Sequence, residues 1–333
     1  MVAASVSDSM STAQEQDVVI RSATPADVES ISSLLSMSFR EYEHLYTSEA
    51  FATTVATPNQ IEDRMHQGPI WVALKNDVIV GSVSAVLKNK EVYIRGMAVN
   101  PSERGNGIGR RLLDRAEAFA VSNRCKRLFL STTPFLSRAI NLYEFYGFRR
   151  NLEGPDNLFG TPLFTMVKTL KALQLRKTED RDLDYVLAVE HSDENRSFVI
   201  PWSREQHRQA LVDPDIVHVI VETQIRVGYV ILAGLVGPNQ SVELRRIVIS
   251  EKGKGYGRAA VEMVKDLVFE TYQAHRLWLD VKAQNQRARG IYHSAGFIIE
   301  GMLRECLRTE DGFDSLVVMS MLRKEYGELK LQA

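Results

Sequence analysis

A chain that repeats itself folds into as many like units as it has repeats, and this one repeats itself once. Val19-Ile20-Arg21-Ser22-Ala23-Thr24-Pro25-Ala26-Asp27 opens the first half, and Gln174-Leu175-Arg176-Lys177-Thr178-Glu179-Asp180-Arg181-Asp182 opens the second in the same style, Arg21 and Arg176 lying 155 positions apart. Arg104-Gly105-Asn106-Gly107-Ile108-Gly109 returns as Lys252-Gly253-Lys254-Gly255-Tyr256-Gly257, at an offset of 148. Ala139-Ile140-Asn141-Leu142-Tyr143 with Gly147-Phe148 returns as Ala288-Arg289-Gly290-Ile291-Tyr292 with Gly296-Phe297, at an offset of 149. The fall from 155 to 148 gives the first copy about seven extra residues near its start, around Tyr46 to Asn59. The boundary falls near Thr169 to Leu173. The domains are then 18–170 and 173–325, with tails 1–17 and 326–333.

Each glycine loop sits between a strand-like run (Tyr93 to Val99, Val242 to Ile249) and an amphipathic helical pattern carried by Ile108, Leu112, Leu113, Ala116, Phe119 and Ala120, or by Val261, Val264, Leu267 and Val268. A helix N-terminus offers unpaired amides and the positive end of a dipole, and glycines let the backbone approach an anion closely. Arg104 and Lys252 head the loops, with Arg110, Arg111 and Arg258 nearby. A pyrophosphate suits such a loop. Neither copy ends in the GK[ST] of a nucleotide P-loop, and the GxGxG spacing deep in each domain is not the GxGxxG of a dinucleotide fold. A plain tight turn would satisfy one loop taken alone.

The order of strand, R/K-x-x-G-x-G, helix, strand and A-x-x-[LI]-Y-x-x-x-G-F resembles the GNAT superfamily of acetyl-CoA N-acetyltransferases, over nearly all of both halves. The resemblance implies an α/β (α+β) fold of two tandem domains, each a mixed, strongly twisted sheet flanked by helices. Acetyl-CoA would lie between two splayed central strands as co-substrate. The loop residues Asn106, Gly107 and Gly109, and Lys254, Gly255 and Gly257, would hold its pyrophosphate, beside Arg104 and Lys252. Backbone groups of Met97 and Val99, and of Ile247 and Ile249, would meet the pantetheine arm and polarise the thioester carbonyl.

Acetyl transfer to an amine needs a neutral amine. Deprotonation at pH 7 costs about 4 to 5 kcal/mol for a lysine-like amine and about 1 to 1.5 kcal/mol for an α-amine. The run Leu277-Trp278-Leu279-Asp280-Val281-Lys282-Ala283-Gln284-Asn285 leading to Tyr292 resembles the ribosomal-protein N-terminal acetyltransferases. That resemblance implies Asp280 as base, acting through water because aspartate is short, Tyr292 as acid, and Asn285 as a CoA contact. Tyr292 also lies on an i, i+3, i+4, i+7 stripe with Ala288, Ile291 and Ala295, as a core aromatic would, and Asp280 has Arg276 and Lys282 as alternative partners. Glu300-Gly301-Met302-Leu303-Arg304, Asp311-Gly312-Phe313-Asp314 and Val317-Val318-Met319 further resemble the branch that acetylates N-terminal amines and polyamines.

The first copy keeps Tyr143 as the matching acid but has Ser131 at the acidic position and Leu136 at the asparagine position. Its Leu130-Ser131-Thr132-Thr133-Pro134 run is similar to GNAT members that act on small molecules, and Glu91 or Tyr93 is a substitute base. The expected function is therefore acetyl-CoA-dependent N-acetylation of a primary amine, on a small molecule or a peptide N-terminus, with the second copy the catalyst. Two alternatives stand beside it: a first copy that is a non-catalytic acyl-CoA-binding or regulatory module, or a two-site enzyme acting on an amino sugar or antibiotic. Acceptor contacts are expected from Met37 to Met65 and His191 to Gln209, with Arg40, Glu41, Tyr42, Trp202 and Arg204 as candidates.

Composition narrows the partners. The 333 residues carry 41 Lys and Arg against 42 Asp and Glu, so no global basic field exists to hold nucleic acid or an anionic membrane. Two cysteines, Cys125 and Cys306, and seven scattered histidines without HExxH spacing argue against a disulfide framework and a metal site. No apolar run approaches the ~20 residues of a membrane span, and Met1 to Asp17 has neither the basic nor the apolar segment of a signal peptide. The expectation is a cytoplasmic monomer or homodimer with a disordered N-terminal tail.

Overall fold

Alternating β-branched strands and amphipathic helices in each half build a seven-stranded sheet with helices around it. The computed structural model of the protein describes residues 18–309 and 312–332. The expected tail 1–17 and Asp311 lie outside the described residues. The described residues form two compact units, each built around one sheet.

The first sheet's half runs β1 (Val19–Ser22), α1 (Val28–Phe39), α2 (Ser48–Thr54), α3 (Pro58–Gln67), β2 (Ile70–Lys75), β3 (Val78–Lys88), β4 (Glu91–Val99), α4 (Ile108–Ser122), β5 (Arg127–Thr132) and α5 (Ser137–Phe145). It closes with β6 (Arg149–Asn151), a small β7 (Asn157–Leu158) and β8 (Thr161–Pro162) hairpin, and β9 (Phe164–Thr169). The sheet order is β1-β2-β3-β4-β5-β9-β6. The second half runs β10 (Gln174–Lys177), α6 (Leu183–Glu190), α7 (Arg204–Val212), β11 (Ile216–Glu222), β12 (Arg226–Ala233), β13 (Ser241–Ile249) and α8 (Tyr256–Asp266). It continues through β14 (Arg276–Lys282), α9 (Gln286–Ser294), β15 (Ile298–Thr309), β16 (Gly312–Leu322) and α10 (Arg323–Gln332), with the order β10-β11-β12-β13-β14-β16-β15. The two orders are the same topology. The extra residues of the first copy form α2, which has no counterpart between α6 and α7. Residues 326–332, expected as a tail, are helical instead, because Tyr326 is buried against Phe269 and its hydroxyl donates to Asp266 at 2.8 Å.

The repeat extends to atomic detail. Arg21 grips Asp27 through two bonds of 2.7 and 2.8 Å, and Asp27 accepts the Thr24 amide at 2.7 Å. Arg176 grips Asp182 at 2.9 and 3.1 Å, and Asp182 accepts the Glu179 amide at 2.9 Å. Each aspartate thus ties the first strand to the first helical turn through charge-assisted bonds. The Y-x-x-x-G-F motif ends a helix in the same way twice. Gly147 (φ 100°) and Gly296 (φ 94°) take the left-handed conformation that glycine tolerates. The next amide then returns to the tyrosine carbonyl, Phe148 to Tyr143 at 2.9 Å and Phe297 to Tyr292 at 3.0 Å, and ring meets ring at 5.9 Å in both copies.

In the second sheet β13 and β14 are the parallel pair, and their pairing stops after Glu243↔Trp278. Leu244 to Ile249 and Leu279 to Lys282 then diverge, which opens a wedge in the sheet. Where the wedge opens β13 carries a bulge at Arg245, where the register with β12 slips between Ile231 and Leu232. The helical face beneath the bulge holds a buried polar network. Glu190, fully buried, accepts from Tyr229, from Arg246 and from the Trp202 amide at 2.9 Å. Behind it the Thr178 hydroxyl, His218 and His207 form a chain of 2.9 and 3.1 Å contacts. Burial, then His207, pushes the His218 pKa down to about 3, so His218 is neutral at pH 7.

Candidate active site

In the first copy two cavities meet at one tyrosine. The first, of about 430 Å³, runs along the glycine loop and is lined by Met97, Val99, Arg104, Gly107, Gly109 and Arg110, among others. The second, of about 400 Å³, is lined by Tyr46, Arg64, Tyr93, Arg95, Ser131 and Asn157, among others. Phe39, Met97, Leu136 and Tyr143 line both.

The loop cavity fits a pyrophosphate-bearing ligand. The first intrahelical bond of α4 is Arg111 to the Gly107 carbonyl at 3.1 Å, so the amides of residues 108–110 precede the ladder and stand at the positive end of the helix. Gly107 reaches this geometry at φ 73° with open space where a Cβ would be, so conformation and not crowding demands the glycine. Arg110 and Arg138 add positive charge to the lining. Arg104 plays a different part from a free phosphate ligand: it bonds Glu41, the Ser38 carbonyl at 2.8 Å and the Val99 carbonyl at 3.3 Å, clamping the loop to the end of α1. Asn106 turns to Glu103 at 3.2 Å.

Tyr143 is buried, and desolvation, followed by the nearby Tyr46, raises its pKa, so the phenol stays protonated at neutral pH. Tyr46, itself raised by burial, faces Thr54 and Thr133. Of the two substitute bases, Tyr93 lines the second cavity, while Glu91 is paired with Arg127 at 2.6 Å.

The second copy brings together a different set. Tyr292 is buried, and its pKa is raised by desolvation and then by the Asp280 charge. The Asp280 carboxyl, exposed on β14, is raised by partial desolvation and by the Glu243 carboxylate of β13. Asn285 uses its side-chain oxygen to accept the Ala288 amide at 3.1 Å, which caps α9. Gly255, at φ 80°, caps α8, and Ala259 makes the first bond of that helix back to it at 3.1 Å. Lys252 is drawn to the Asn195 side chain, and burial and Arg287 lower its pKa. Ile247 and Ile249 pack against the core. Trp202 stacks under Arg246 at 4.7 Å and Arg204 pairs with Asp184.

Residues 29–148 match the acetyltransferase (GNAT) family and residues 172–298 match an acetyltransferase (GNAT) domain. The chain belongs to the GNAT acetyltransferases. Acetyl-CoA is the acyl donor of that family. An N-acetylaspartate synthetase of Danio rerio is 38% identical over 88 residues, covering 26% of this chain and 31% of the relative. A spermidine N(1)-acetyltransferase of Escherichia coli K12 is 26% identical over 167 residues, covering 46% of this chain and 88% of the relative. The chain spans 31% and 51% of the lengths of the first two curated relatives, the second being a Vibrio cholerae spermidine N(1)-acetyltransferase. The crystal structure of spermidine N-acetyltransferase from Vibrio cholerae in complex with CoA and spermine shares 24% identity at a TM-score of 0.44, over 46% of this chain and 97% of that one. None of these relatives is a ribosomal-protein enzyme. Among the described residues no group of three or more His, Cys, Asp or Glu is placed to hold a metal, and no helix is long and apolar enough to cross a membrane.

Sequence reasoning did not single out two arginines that line the second cavity, Arg64 and Arg95. Arg64 lies within the segment expected to bind the acceptor, yet nothing in its local pattern separates it from an ordinary helix-surface arginine. Arg95, on β4, carries no motif.

Proposed function

We propose that the protein transfers the acetyl group of acetyl-CoA to a primary amine, and that the first copy holds a complete catalytic site. The observation that carries this reading is the convergence of the two cavities on Tyr143. The donor occupies the loop cavity and the acceptor enters through the other, so amine and thioester meet beside the phenol. The amine nitrogen bonds to the thioester carbonyl carbon, the carbon–sulfur bond breaks, and nitrogen gives one proton to solvent. The leaving thiolate takes one from the Tyr143 phenol, which solvent reprotonates.

A second reading keeps the second copy as a further catalyst, as the motif around Asp280 suggests. It is favoured by the Asp280 charge raising the Tyr292 pKa, with Glu243 adding a second carboxylate suited to a cationic amine such as the spermidine of the relatives' names.

Calorimetric titration with acetyl-CoA and thiol-release kinetics of Tyr143→Phe and Tyr292→Phe test both. Loss of the phenol that serves a reaction lowers its kcat by about 10²- to 10⁴-fold, the usual range for an acid or base. Absence of acetyl-CoA binding overturns the function, and full activity in Tyr143→Phe overturns the assignment to the first copy.

A further inference from the structure

The acceptor cavity of the first copy is lined by two arginines and by no Asp or Glu among the described residues. Arg95 donates to the Gln67 side chain at 2.6 Å, while its Nε is buried without a partner. Among the described residues Arg64 reaches only the Thr53 carbonyl, at 3.4 Å, and its Nη1 hangs over β4, 3.1 Å from where a Cβ on Gly96 would stand. Gly96, at φ 56°, therefore leaves room for that guanidinium beside the strand where the donor and acceptor cavities meet. Neither arginine has a carboxylate within 4.0 Å among the described residues, although the chain pairs many of its other arginines. Burial lowers both pKa values; the Arg95 charge lowers that of Arg64 further, and Tyr93 alone offsets the trend. A protein seldom holds two guanidiniums together in a half-buried cavity without an anion, because each is desolvated and each repels the other.

From this cluster we infer that the acceptor of the first copy is a small amine that also carries a carboxylate, an amino acid in chemical class, with Arg64 and Arg95 as the carboxylate's ligands. The inference rests on the acetyltransferase reading above. The same pair of charges explains how this copy works with Ser131 in place of an acidic base. Positive charge near the bound amine disfavours its ammonium form, which lowers the cost of deprotonating the α-ammonium of a bound amino acid. A polyamine finds only repulsion here.

The full-length protein is assayed by thiol release with saturating acetyl-CoA. The acceptors are the common L-amino acids, each beside its C-terminal amide, and spermidine, with a Tyr292→Phe chain run in parallel to remove turnover by the second copy. The expected result is at least one acid with kcat/KM about 10- to 100-fold above its amide, the worth of a charge-assisted contact. In Arg95→Gln and Arg64→Gln that ratio should collapse toward one through a raised KM. The acid-to-amide ratio on unaltered arginines reads the same point should a variant fail to fold. Parity of every acid with its amide, or a preference untouched by both variants, overturns the inference. If acetyl-CoA binds by calorimetry and only the carboxylate preference is missing, the inference falls and the acetyltransferase reading stands; without acetyl-CoA binding both fall.

Discussion

Glu190→Gln tests whether the buried network of the second copy is a stabilising device. Glu190 and His207 are fully buried, and Arg246 keeps 10% side-chain exposure. Burial alone would raise the Glu190 pKa, but His207, Tyr229, the Arg246 charge and the Trp202 amide outweigh it and hold the carboxyl down to about 2, against an ordinary 4.5. A carboxyl depressed by that much contributes roughly 3 kcal/mol to stability, since each pKa unit is worth about 1.4 kcal/mol. Because the folded value lies below the unfolded one, the contribution is complete above pH 4.5 and is lost as pH falls toward 2. Glutamine keeps the shape but leaves Arg246 without its counter-charge, and breaking such a pair costs about 3 to 5 kcal/mol. At about 2 to 4 °C per kcal/mol for a unit of this size, the thermal midpoint should fall by roughly 6 to 20 °C. The assay is unfolding by far-ultraviolet circular dichroism at pH 7 and pH 3. More than half of the gap between the two proteins should close at the lower pH. A shift worth less than about 1 kcal/mol at pH 7, or a gap that ignores pH, would show that Arg246 finds solvent and that the network adds little.

The paired Arg–Asp clamps give a comparison across the repeat. Asp27→Asn and Asp182→Asn should each destabilise their own unit by about 1 to 3 kcal/mol in urea unfolding, because each aspartate accepts an arginine and an amide at once. Equal stability of both variants with the parent would refute the clamp. Gly109 and Gly257 occupy matching first turns but differ in clearance: a Cβ would stand 2.8 Å from Leu142 in one and 3.6 Å from Ile291 in the other. Gly257→Ala should be neutral or gain up to about 1 kcal/mol of helix propensity. Gly109→Ala should push Leu142 into the donor cavity and weaken acetyl-CoA binding several-fold by calorimetry.

Much of this was legible beforehand. The repeated Arg-Asp opening, the two glycine loops and the Y-x-x-x-G-F ending are local devices, each needing only a few consecutive residues to fix a clamp, a helix start or a helix stop. The chain alone therefore determined the fold, the double domain and the tyrosines at the ends of α5 and α9. Motif reading also grouped Asp280 with Tyr292, and in the structure the Asp280 charge raises the Tyr292 pKa. It assigned Arg104 and Asn285 to the ligand; in the structure Arg104 lines the loop cavity while clamping the loop, and Asn285 caps a helix.

What only the tertiary structure decided is which charges share a space. Arg64 and Arg95 are 31 positions apart on a helix and a strand, and Glu190 and Arg246 are 56 apart. Whether a charge is paired or stranded depends on desolvation and distance, and neither is set until helices are laid on the sheet. The sequence thus determined the chemistry of acetyl transfer through short motifs, and packing decided the charge of the cavity beside Tyr143.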